Sequence, residues 1–416
     1  MMAKKSTGRI QNLRQTLKFR KPILNPKRRR LTRAITIHDL RIIAKQRIPI
    51  GPFDYVDGAA EDEVSLSRAR QAFLDIEFKP HVLRDVSSTS LSAKMCGDKY
   101  SLPLGIAPVG FSRMMQTEGE SAGASVATSR GMPFALSTMG TTSIEKVAEI
   151  APNGSNWFQL YLWRDRDRSL ELINRAAKAG FKGLILTVDA QVAGARLRDV
   201  RNGLTVPPSL TGRTFLEAAP KVNWWWNFLT KEPLVFASLD SWNGTVAELM
   251  NTMFDPTMTL DDLKWIRKVW DGNLLVKGVQ RVDDASAISK CGVEGVWISN
   301  HGGRQLDRAP IPLYLIEPIR KAIGKKVEIH VDTGIMHGAD VIASLAKGAN
   351  FAWIGRAYMY GLMAGGRDGV ARAIEILETQ MVRTMKLLGV KEIEGLTPDL
   401  VNTAIEIGRT NTRGAK

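Results

Sequence analysis

The sequence predicts an α/β protein: a single TIM (β/α)8 barrel with a long insertion after strand 4 and a basic N-terminal arm. Three observations predict this fold. Eight short hydrophobic runs of strand length follow one another along the chain. Helical patterns separate the runs, and the glycines at 180, 292 and 348 fit positions where a helix ends. Polar or glycine residues follow every run, at the strand end where TIM barrels place their chemistry.

The eight predicted strands have a hydrophobic, β-branched or aromatic composition. They lie at 104–108, 134–137, 157–160, 183–188, 274–277, 295–299, 327–332 and 351–354. Successive strands begin 21 to 32 residues apart, except for a gap of 91 between the starts at 183 and 274. Such alternation favours one barrel over two doubly wound domains. The long gap predicts an insertion at 203–258.

Two helix starts can be placed between the strands. Thr142 and Glu145 fit a capping box, in which each side chain bonds to the other residue's backbone N–H. Thr259, followed by Asp261 and Asp262, predicts another start, because acidic residues are favoured at the positive end of a helix dipole.

Length and composition exclude several classes of protein. The chain has 416 residues, of which 44% are hydrophobic and 24% charged, and this excludes wholesale disorder. Its two cysteines, Cys96 and Cys291, cannot form a disulfide framework and indicate a reducing compartment. No stretch approaches the roughly 18 uninterrupted apolar residues of a membrane span.

The net charge of +16 lies mostly in residues 1–34. This arm holds twelve Lys and Arg residues and no acidic residue, so the rest of the chain carries only +4 (16 minus 12). An arm of this kind could be attracted to an anionic membrane or to nucleic acid, or could be a solvated tail or a subunit contact. It lacks the apolar core of a secretory signal peptide.

The sequence thus divides into three predicted parts. They are the arm at 1–34, a barrel at 35–390 that contains the insertion at 203–258, and a C-terminal tail at 391–416. The insertion holds Trp224-Trp225-Trp226, bounded by Lys221 and Lys231. Tryptophans flanked by lysines suit a membrane interface, and packing inside the protein or between subunits is the alternative.

Polar or conformationally permissive residues follow all eight predicted strands. In chain order they are Pro108-Val109-Gly110, Ser137, Gln159 and Tyr161, Thr187 and Asp189, Lys277, Ser299-Asn300-His301, Asp332-Thr333-Gly334, and Gly355-Arg356. Because the carboxyl ends of barrel strands meet at one mouth, these residues predict an active site there. The last two groups follow strands seven and eight, where TIM barrels commonly bind phosphate.

The run Ser299-Asn300-His301-Gly302-Gly303-Arg304-Gln305-Leu306-Asp307 resembles the active-site signature of the FMN-dependent α-hydroxy acid dehydrogenases and oxidases. The resemblance covers about residues 34–390. It continues through Phe53-Asp54-Tyr55, Gln159-Leu160-Tyr161, Thr187-Val188-Asp189, Val276-Lys277-Gly278 and Ile354-Gly355-Arg356. Phe254-Asp255-Pro256 and the insertion are most similar to the bacterial respiratory L-lactate dehydrogenases.

This resemblance implies roles for four charged or titratable residues. His301 would take a proton from the α-hydroxyl or the α-carbon of the substrate, and Asp189 would stabilise the imidazolium that results. Arg304 and Arg196 would bind the substrate carboxylate, because a guanidinium fork matches a carboxylate with two hydrogen bonds.

The resemblance also implies FMN as the cofactor. Tyr55 and Tyr161 would hydrogen-bond the substrate, and Lys277 would stabilise the reduced, anionic flavin. The implied FMN-binding residues are Pro108, Val109, Gly110, Ser137, Gln159, Thr187, Lys277, Ser299, Asp332, Thr333, Gly334, Gly355 and Arg356. No metal is expected.

This sequence departs from the family pattern at several positions. Met336 stands where the family usually has an arginine at the FMN phosphate, so Arg356 and backbone donors would contribute more there, or His337 would help. Gly110 replaces the alanine that is usual in the oxidases. Met139 and Ala193 replace a tryptophan and a leucine of glycolate oxidase, which suggests a pocket that admits more than glycolate.

The predicted function is FMN-dependent oxidation of L-lactate to pyruvate, with electrons passed to a quinone or another respiratory acceptor. The expected protein is a homotetramer or octamer, attached peripherally to the cytoplasmic side of the inner membrane. A 2-hydroxy acid oxidase or a mandelate-type dehydrogenase acting on a larger (S)-2-hydroxy acid is the alternative. A non-redox phosphate-sugar enzyme is a further rival, as is a basic nucleic-acid-binding protein. The phosphate-sugar enzyme is disfavoured by the combination of His301, Arg304, Lys277 and Asp189. The nucleic-acid-binding alternative rests on the arm alone, and no nucleic-acid partner is expected.

Overall fold

The eight predicted strands close into one parallel barrel in the computed structural model, which describes residues 22–203, 216–230 and 253–406. The predicted α/β class and TIM-barrel architecture are therefore confirmed. Each strand begins and ends within a few residues of its prediction.

Helices and short strands precede the barrel. The helices are α1 (Pro26–Arg33), α2 (Ile37–Arg47), α3 (Ile50–Asp57) and α4 (Val64–Leu74). The strands are β1 (Glu77–Phe78), β2 (Ala93–Met95) and β3 (Asp98–Tyr100). Strands β2 and β3 form an antiparallel hairpin.

The barrel strands are short and almost wholly buried, because helices cover the outer face and side chains fill the interior. They are β4 (Leu104–Ile106), β5 (Pro133–Ser137), β6 (Ser155–Leu160), β7 (Gly183–Thr187), β8 (Asn273–Val279), β9 (Gly295–Ile298), β10 (Glu328–Val331) and β11 (Phe351–Ile354). Their order around the barrel follows the chain, and β11 pairs with β4 to close it.

Further helices surround and follow the barrel strands. They are α5 (Ser112–Met115), α6 (Gly119–Ser129), α7 (Ile144–Ile150), α8 (Arg166–Lys178), α9 (Leu197–Arg201), α10 (Val222–Thr230), α11 (Leu260–Val269), α12 (Val282–Ser289), α13 (Pro312–Ile323), α14 (Gly338–Ala346), α15 (Arg356–Gly365) and α16 (Arg367–Leu388). Short 3-10 turns lie at His301–Gly303, Ile393–Gly395 and Pro398–Leu400. The final strand, β12 (Val401–Asn402), pairs antiparallel with β1.

One predicted helix start is confirmed and the other is wrong by one residue. Thr259 caps α11 in a capping box with Asp262. Helix α7 is capped by Ser143, whose hydroxyl accepts from the backbone N–H of Lys146 at 3.2 Å. Thr142 does not cap it, because its hydroxyl donates to the buried Glu120 carboxylate at 2.9 Å.

Aromatic side chains fill part of the barrel interior. Trp297 stacks on Trp353 with ring centroids 4.5 Å apart, and Trp157 is fully buried beside them. A Cβ on Gly183 would lie 2.1 Å from the Trp157 ring, so only glycine fits there. This cluster reaches the polar strand ends, since Trp353 lines the cavity there and the Trp297 ring lies 5.7 Å from Lys277 Nζ.

The described end of the basic arm is folded against the barrel. Helix α1 is capped by Asn25, and its Leu31 is buried against Gly365 of α15. The Arg372 guanidinium donates to the carbonyl of Ala34 at 2.9 and 3.0 Å. The rest of the arm, residues 1–21, lies outside the described residues.

Within the insertion, the described residues are 203, 216–230 and 253–258. Helix α10 carries the three predicted tryptophans. The indoles of Trp224 and Trp225 donate to the carbonyls of Met114 and Ala218, both at 2.9 Å, whereas Trp226 is 71% exposed. Among the described helices, none combines the length and apolarity that crossing a membrane requires.

Candidate active site

A cavity of about 1040 Å³ lies at the carboxyl ends of the barrel strands. Every barrel strand, or the loop after it, contributes to its lining. The predicted site residues in the lining are Tyr55, Pro108, Val109, Gly110, Ser137, Tyr161, Arg196, Lys277, His301, Arg304, Asp332, Thr333, Gly334, Gly355 and Arg356. This volume is at the upper end of the usual range for ligand sites, so it has room for a cofactor and a small substrate together.

The four remaining predicted residues lie behind this lining. Asp189 bonds to His301, Ser299 to Lys277, and Gln159 to Ser137. Thr187 is buried at the end of β7 and is in register with Lys277 on β8. The structure thus brings together all of the residues that the sequence predicted.

An imidazole in the cavity lining pairs with a buried carboxylate behind it. His301 Nδ1 lies 2.9 Å from Asp189 Oδ1, and His301 Nε2 lies 3.4 Å from the Tyr161 hydroxyl. A neutral imidazole that donates its Nδ1–H to the carboxylate leaves an unprotonated Nε2. That nitrogen can accept a proton from a bound molecule.

Local backbone geometry aims this histidine into the cavity. His301 has a left-handed φ of 58°, which is uncommon for a residue with a side chain. Its backbone N–H donates to Ser299 Oγ at 3.0 Å, and the Asn300 side chain accepts from the N–H of Gly303 at 3.0 Å. These bonds fix the turn that follows β9, and they offset the cost of the strained backbone.

A glycine on the neighbouring strand makes room for the carboxylate. A Cβ on Gly278, whose φ is +104°, would lie 2.6 Å from the Asp189 side chain. The same glycine lies within a register shift between β8 and β9, at Lys277 and Val279. Gly278 therefore lets Asp189 approach the end of β8.

Burial and neighbouring charges set the protonation of the pair. Burial lowers the pKa of His301 below 6.5; the Asp189 charge opposes this shift, and the Lys277 charge adds to it. Burial alone would raise the pKa of Asp189, but the charges of His301 and Lys277 outweigh burial and lower it. At neutral pH the pair therefore consists of a neutral imidazole and an ionised carboxylate.

Two arginines lie over the ring of Tyr55 on one side of the cavity. The guanidinium carbons of Arg304 and Arg196 lie 4.7 and 5.7 Å from the ring centroid. Arg304 also donates to the carbonyls of Tyr55 and Gly58, which hold it in place. Burial, with the charge of Arg196, lowers the pKa of Arg304 to about 10, so it stays charged at neutral pH.

The sequence analysis missed a carboxylate in this part of the cavity. Asp199 lies on α9, and its Oδ2 is 3.9 Å from Nη1 of Arg196. Its side chain is mostly buried, and burial raises its pKa. Its place on the same helical turn as Arg196, three residues on, was the signal that could have revealed it.

A neighbouring arginine, Arg198, was also missed. Its guanidinium pairs with Glu63 and lies 3.1 Å from Asp57. Asp57 in turn pairs with Arg41 of α2. This network ties the loop after β7 to the helices that precede the barrel, so it positions Arg196 from behind.

The floor of the cavity carries a buried lysine. Lys277 Nζ donates to Ser299 Oγ at 3.1 Å and lies 3.7 Å from Asp332 Oδ2 and 5.7 Å from the centre of the Trp297 ring. A buried ammonium with a single close carboxylate favours additional negative charge beside it.

Two buried polar atoms beside this floor lack a partner among the described residues. They are Nε2 of Gln159 and Oγ1 of Thr187. Buried donors without a partner are rare, and a ligand that binds beside them is one explanation. Gln159 is held in place by Ser137 Oγ, which lies 3.0 Å from its Oε1. These groups offer hydrogen bonds to the polar edge of a bound ring.

The far end of the cavity is rich in glycine and arginine. Gly334 has a φ of +84°, and a Cβ there would lie 2.8 Å from the carbonyl oxygen of Ala69. A Cβ on Gly355 would have one described neighbour within 4 Å, Val109 Cγ2 at 3.9 Å, so the backbone there is open to a ligand. The Arg356 guanidinium donates to the carbonyls of Val56, Gly302 and Gly58 at 2.7 to 2.9 Å. This end suits an anion such as a phosphate.

Met336 and His337 lie at this end without supplying a free cation. The Met336 backbone N–H donates to the Asp340 carboxylate at 2.8 Å. His337 caps α14, since its Nδ1 accepts from the backbone N–H of Ala339 at 3.0 Å, and burial lowers its pKa. A nearby cation comes from another segment: Arg70 of α4 pairs with Asp340 and donates to the Gly334 carbonyl at 2.7 Å.

Comparison of the sequence with models of known protein families shows which family this chain belongs to. The model of the FMN-dependent dehydrogenase family matches residues 44–403. The chain belongs to the FMN-dependent dehydrogenase family. The resemblance stated from the sequence, and FMN as the cofactor, are thereby confirmed.

Curated relatives of this FMN-dependent dehydrogenase cover nearly all of its length. A protein of Mycobacterium tuberculosis (strain ATCC 25618 / H37Rv), named "Putative L-lactate dehydrogenase", is 54% identical over 98% of this chain and 99% of the relative. An L-lactate dehydrogenase of Vibrio cholerae serotype O1 (strain M66-2) is 36% identical over 87% of this chain and 97% of its own.

Solved structures of the same family share the fold. The monotopic membrane protein (S)-mandelate dehydrogenase matches with a TM-score of 0.85 and 34% identity, over 89% of this chain and 99% of that chain. Mandelate oxidase matches with a TM-score of 0.78 and 32% identity, over 89% and 98%.

FMN fits the residues that this FMN-dependent dehydrogenase places in the cavity. The unpartnered Gln159 and Thr187 atoms and the Lys277 ammonium lie where a flavin ring with polar edges would be held. The glycines and Arg356 at the far end suit its phosphate. Asp332 accepts from Thr333 Oγ1 at 2.8 Å, which fixes the turn between the two regions.

Restoring the family arginine is expected to strengthen FMN binding. We expect Met336→Arg to lower the FMN dissociation constant by about tenfold, because a guanidinium at the phosphate adds a charge-assisted hydrogen bond. Riboflavin, which has no phosphate, should bind as it does to the natural protein. Flavin fluorescence during titration of the apoprotein measures both constants. Met336→Gln is the neutral control, and equal tightening of riboflavin would contradict the placement of Met336 at the phosphate.

Proposed function

We propose that the protein oxidises L-lactate to pyruvate with FMN and passes the electrons to a quinone or another respiratory acceptor. The observation that carries the proposal is the buried pair of His301 and Asp189, which faces the same cavity as the guanidiniums of Arg196 and Arg304. A base beside a carboxylate clamp suits a 2-hydroxy acid. The names of the relatives from Mycobacterium tuberculosis and Vibrio cholerae favour lactate among such acids.

His301 is the proposed base. Its Nε2, held unprotonated by the hydrogen bond from Nδ1 to Asp189, takes a proton from the substrate's α-hydroxyl or α-carbon. Asp189 then stabilises the imidazolium. The Tyr161 hydroxyl, 3.4 Å from Nε2, lies where it can bond to the substrate oxygen. FMN, when bound, accepts the two electrons that leave the substrate.

Arg196, Arg304 and Tyr55 bind the substrate carboxylate in this proposal. Both guanidiniums lie against the Tyr55 ring, which limits their motion before the substrate arrives. Asp199 balances part of their charge in the free enzyme. When a substrate carboxylate binds, it takes over most of this charge balance, while Asp199 stays in place. Lys277 supplies the positive charge that favours a reduced, anionic flavin.

A mandelate-type activity on a larger (S)-2-hydroxy acid is the second candidate. Ala193 and Met139 both line the cavity and leave more room than the leucine and tryptophan of glycolate oxidase. Phe254, whose ring packs edge-on against Tyr161 with centroids 5.5 Å apart, supplies an aromatic wall. The similarity to (S)-mandelate dehydrogenase and mandelate oxidase also supports this second candidate function.

Anaerobic reduction of the flavin tests both candidates. We expect L-lactate to bleach the flavin absorption of the holoenzyme rapidly and D-lactate to leave it unchanged, because the carboxylate clamp and His301 bind one hand of the substrate. A quinone analogue should then restore the colour faster than O2 does.

Each other outcome has a definite meaning. Bleaching by (S)-mandelate at a kcat/KM at least about tenfold above that of L-lactate would replace lactate by the second candidate. Rapid return of colour with O2 would contradict the dehydrogenase assignment and favour an oxidase.

The pH dependence of lactate oxidation should report the His301–Asp189 pair. Because the pKa of His301 is lowered and its neutral form is the base, kcat/KM should fall on the acid side only below pH 6.5. Asp189→Asn removes a charge that raises this pKa, so the acid limb should move to still lower pH. The variant should also lose about 100-fold or more in kcat, because the amide no longer holds the reactive tautomer.

Asp199→Asn is the matched control, since it neutralises a second buried carboxylate of the same cavity. It should alter KM through Arg196 and leave the acid limb near its original position. An acid limb that stays in place in Asp189→Asn would contradict the role of His301 as the base.

Helix α10 and the basic arm are proposed to attach the enzyme to an anionic membrane, as a peripheral protein on the cytoplasmic side. Trp226 and Leu229 are 71% and 73% exposed on a helix that Trp224 anchors to the barrel. Exposed apolar side chains beside cations suit a membrane interface. The predicted homotetramer or octamer stays a prediction, and no nucleic-acid partner is proposed.

Removing the exposed side chains of α10 tests this attachment. We expect Trp226→Ala with Leu229→Ala to lower binding to anionic vesicles about tenfold, because two apolar groups lose their burial in the lipid. Val82→Ala with Leu387→Ala is the matched control, since both residues are equally exposed on the barrel body. Equal binding by the two double variants in a sedimentation assay would remove α10 from the membrane contact.

A further inference from the structure

A second cavity lies away from the barrel mouth, between the N-terminal helices and α10. Its volume is about 140 Å³, and its lining includes Lys27, Arg30, Arg47, Arg113, Glu118 and Trp224. This is below the roughly 300 Å³ at which pockets for drug-sized ligands begin, so the cavity suits a single small group.

The charges around this cavity do not balance. Lys27 is paired with Asp368 at 2.7 Å, and Glu118 accepts from the backbone N–H of Arg367 at 2.8 Å. Arg30 and Arg47 have no carboxylate partner in the part of the chain that the structure describes. Among the described lining residues, Lys27, Arg30, Arg47 and Arg113 are cationic and Glu118 is acidic, so the cavity carries an excess of positive charge.

Their hydrogen bonding is also incomplete. The Nε atoms of Arg30 and Arg47 are buried and have no acceptor among residues 22–203, 216–230 and 253–406. Arg30 Nη2 donates only to the carbonyl of Ala364, at 3.2 Å. Burial lowers the pKa of Arg47, and the charge of Arg30 lowers it further. Both arginines would thus gain from an anion that accepts hydrogen bonds.

The surroundings indicate what the anion is attached to. Trp224 lines the cavity, and the same helix exposes Trp226 and Leu229, two and five residues further along the chain. A cationic pocket beside exposed apolar side chains matches a molecule with a phosphate group and an apolar part. Arg30 lies outside the range matched by the family model, 44–403, so the cavity combines this chain's own arm with the barrel.

We propose that this cavity binds a phosphate group through Arg30 and Arg47, supplied either by the headgroup of an anionic phospholipid or by a soluble phosphate. Guanidinium forks match the oxygens of a phosphate with paired hydrogen bonds. The site is separate from the flavin cavity. The phosphate-site proposal can therefore be tested independently of the proposed lactate oxidation.

Thermal unfolding of the full-length holoenzyme, with FMN in excess, tests the soluble source. Inorganic phosphate should raise the Tm by about 2 °C over chloride at equal ionic strength, because a ligand that binds only the folded state stabilises it. Arg30→Gln with Arg47→Gln should lose this gain. Arg29→Gln with Lys45→Gln should keep it, since these exposed cations on the same two helices lie outside the cavity.

Sedimentation with phosphatidylcholine vesicles, with and without phosphatidylglycerol, tests the lipid source. General attraction to the surface should fall equally in both double variants, because each loses two positive charges. A bound headgroup should make Arg30→Gln with Arg47→Gln lose at least about fivefold more binding than the control. Arg30→Gln alone serves if the double variant does not retain FMN.

The outcomes separate the two sources. Loss of the phosphate effect together with the extra loss of vesicle binding assigns the site to a lipid headgroup. Loss of the phosphate effect with equal vesicle binding assigns it to a soluble phosphate. If the cavity variant and the control behave alike in both assays, the proposal is wrong.

Discussion

Closure of the barrel is the constraint on which the rest of the structure depends. When β11 pairs with β4, the carboxyl ends of eight strands are brought around one mouth, and residues far apart in sequence come within hydrogen-bond distance. Asp189 and His301 are separated by 112 positions yet lie 2.9 Å apart. The buried packing of Trp157, Trp297 and Trp353 inside the barrel supports this geometry, because a change of volume in a closely packed interior is costly.

The mouth that closure creates brings several cations together. Lys277, Arg304 and Arg356 approach the cavity from three different strands, and their hydrogen bonds run mainly to hydroxyl and carbonyl oxygens. Carbonyl partners hold a guanidinium in place without cancelling its charge. The positive charge is therefore available to three anionic groups: a substrate carboxylate, a reduced flavin and a phosphate. Burial, with the charges of Lys277 and Arg304, lowers the pKa of His301, and this keeps the base neutral.

The strands and the residues at their ends could be predicted because both depend on local sequence. A buried parallel strand needs a short hydrophobic run, and the polar residue after it stands out against that run. Contacts across the chain could not be predicted in this way. Thr142 is of a residue type that often caps helices, but its hydroxyl instead donates a hydrogen bond to the Glu120 carboxylate. Arg198 carries no motif, and its role depends on partners in α3 and the loop that follows it, which only the fold brings near. Asp199 lies three residues after Arg196, but its burial in the cavity wall also depends on the fold.

The basic arm shows how folding changes the meaning of a composition. In the sequence, cations and no acidic residues are found along the whole arm, so any part of it could face an anionic surface. In the structure, Leu31 is buried against α15, and this contact fixes the rotation of α1. Arg29 then points outward, whereas Arg30 is held beside Arg47. One buried leucine thus converts two neighbouring cations into different groups, one that is exposed and one whose Nε is buried without an acceptor among the described residues. A charged segment acquires specificity only where apolar packing fixes which of its charges lose water.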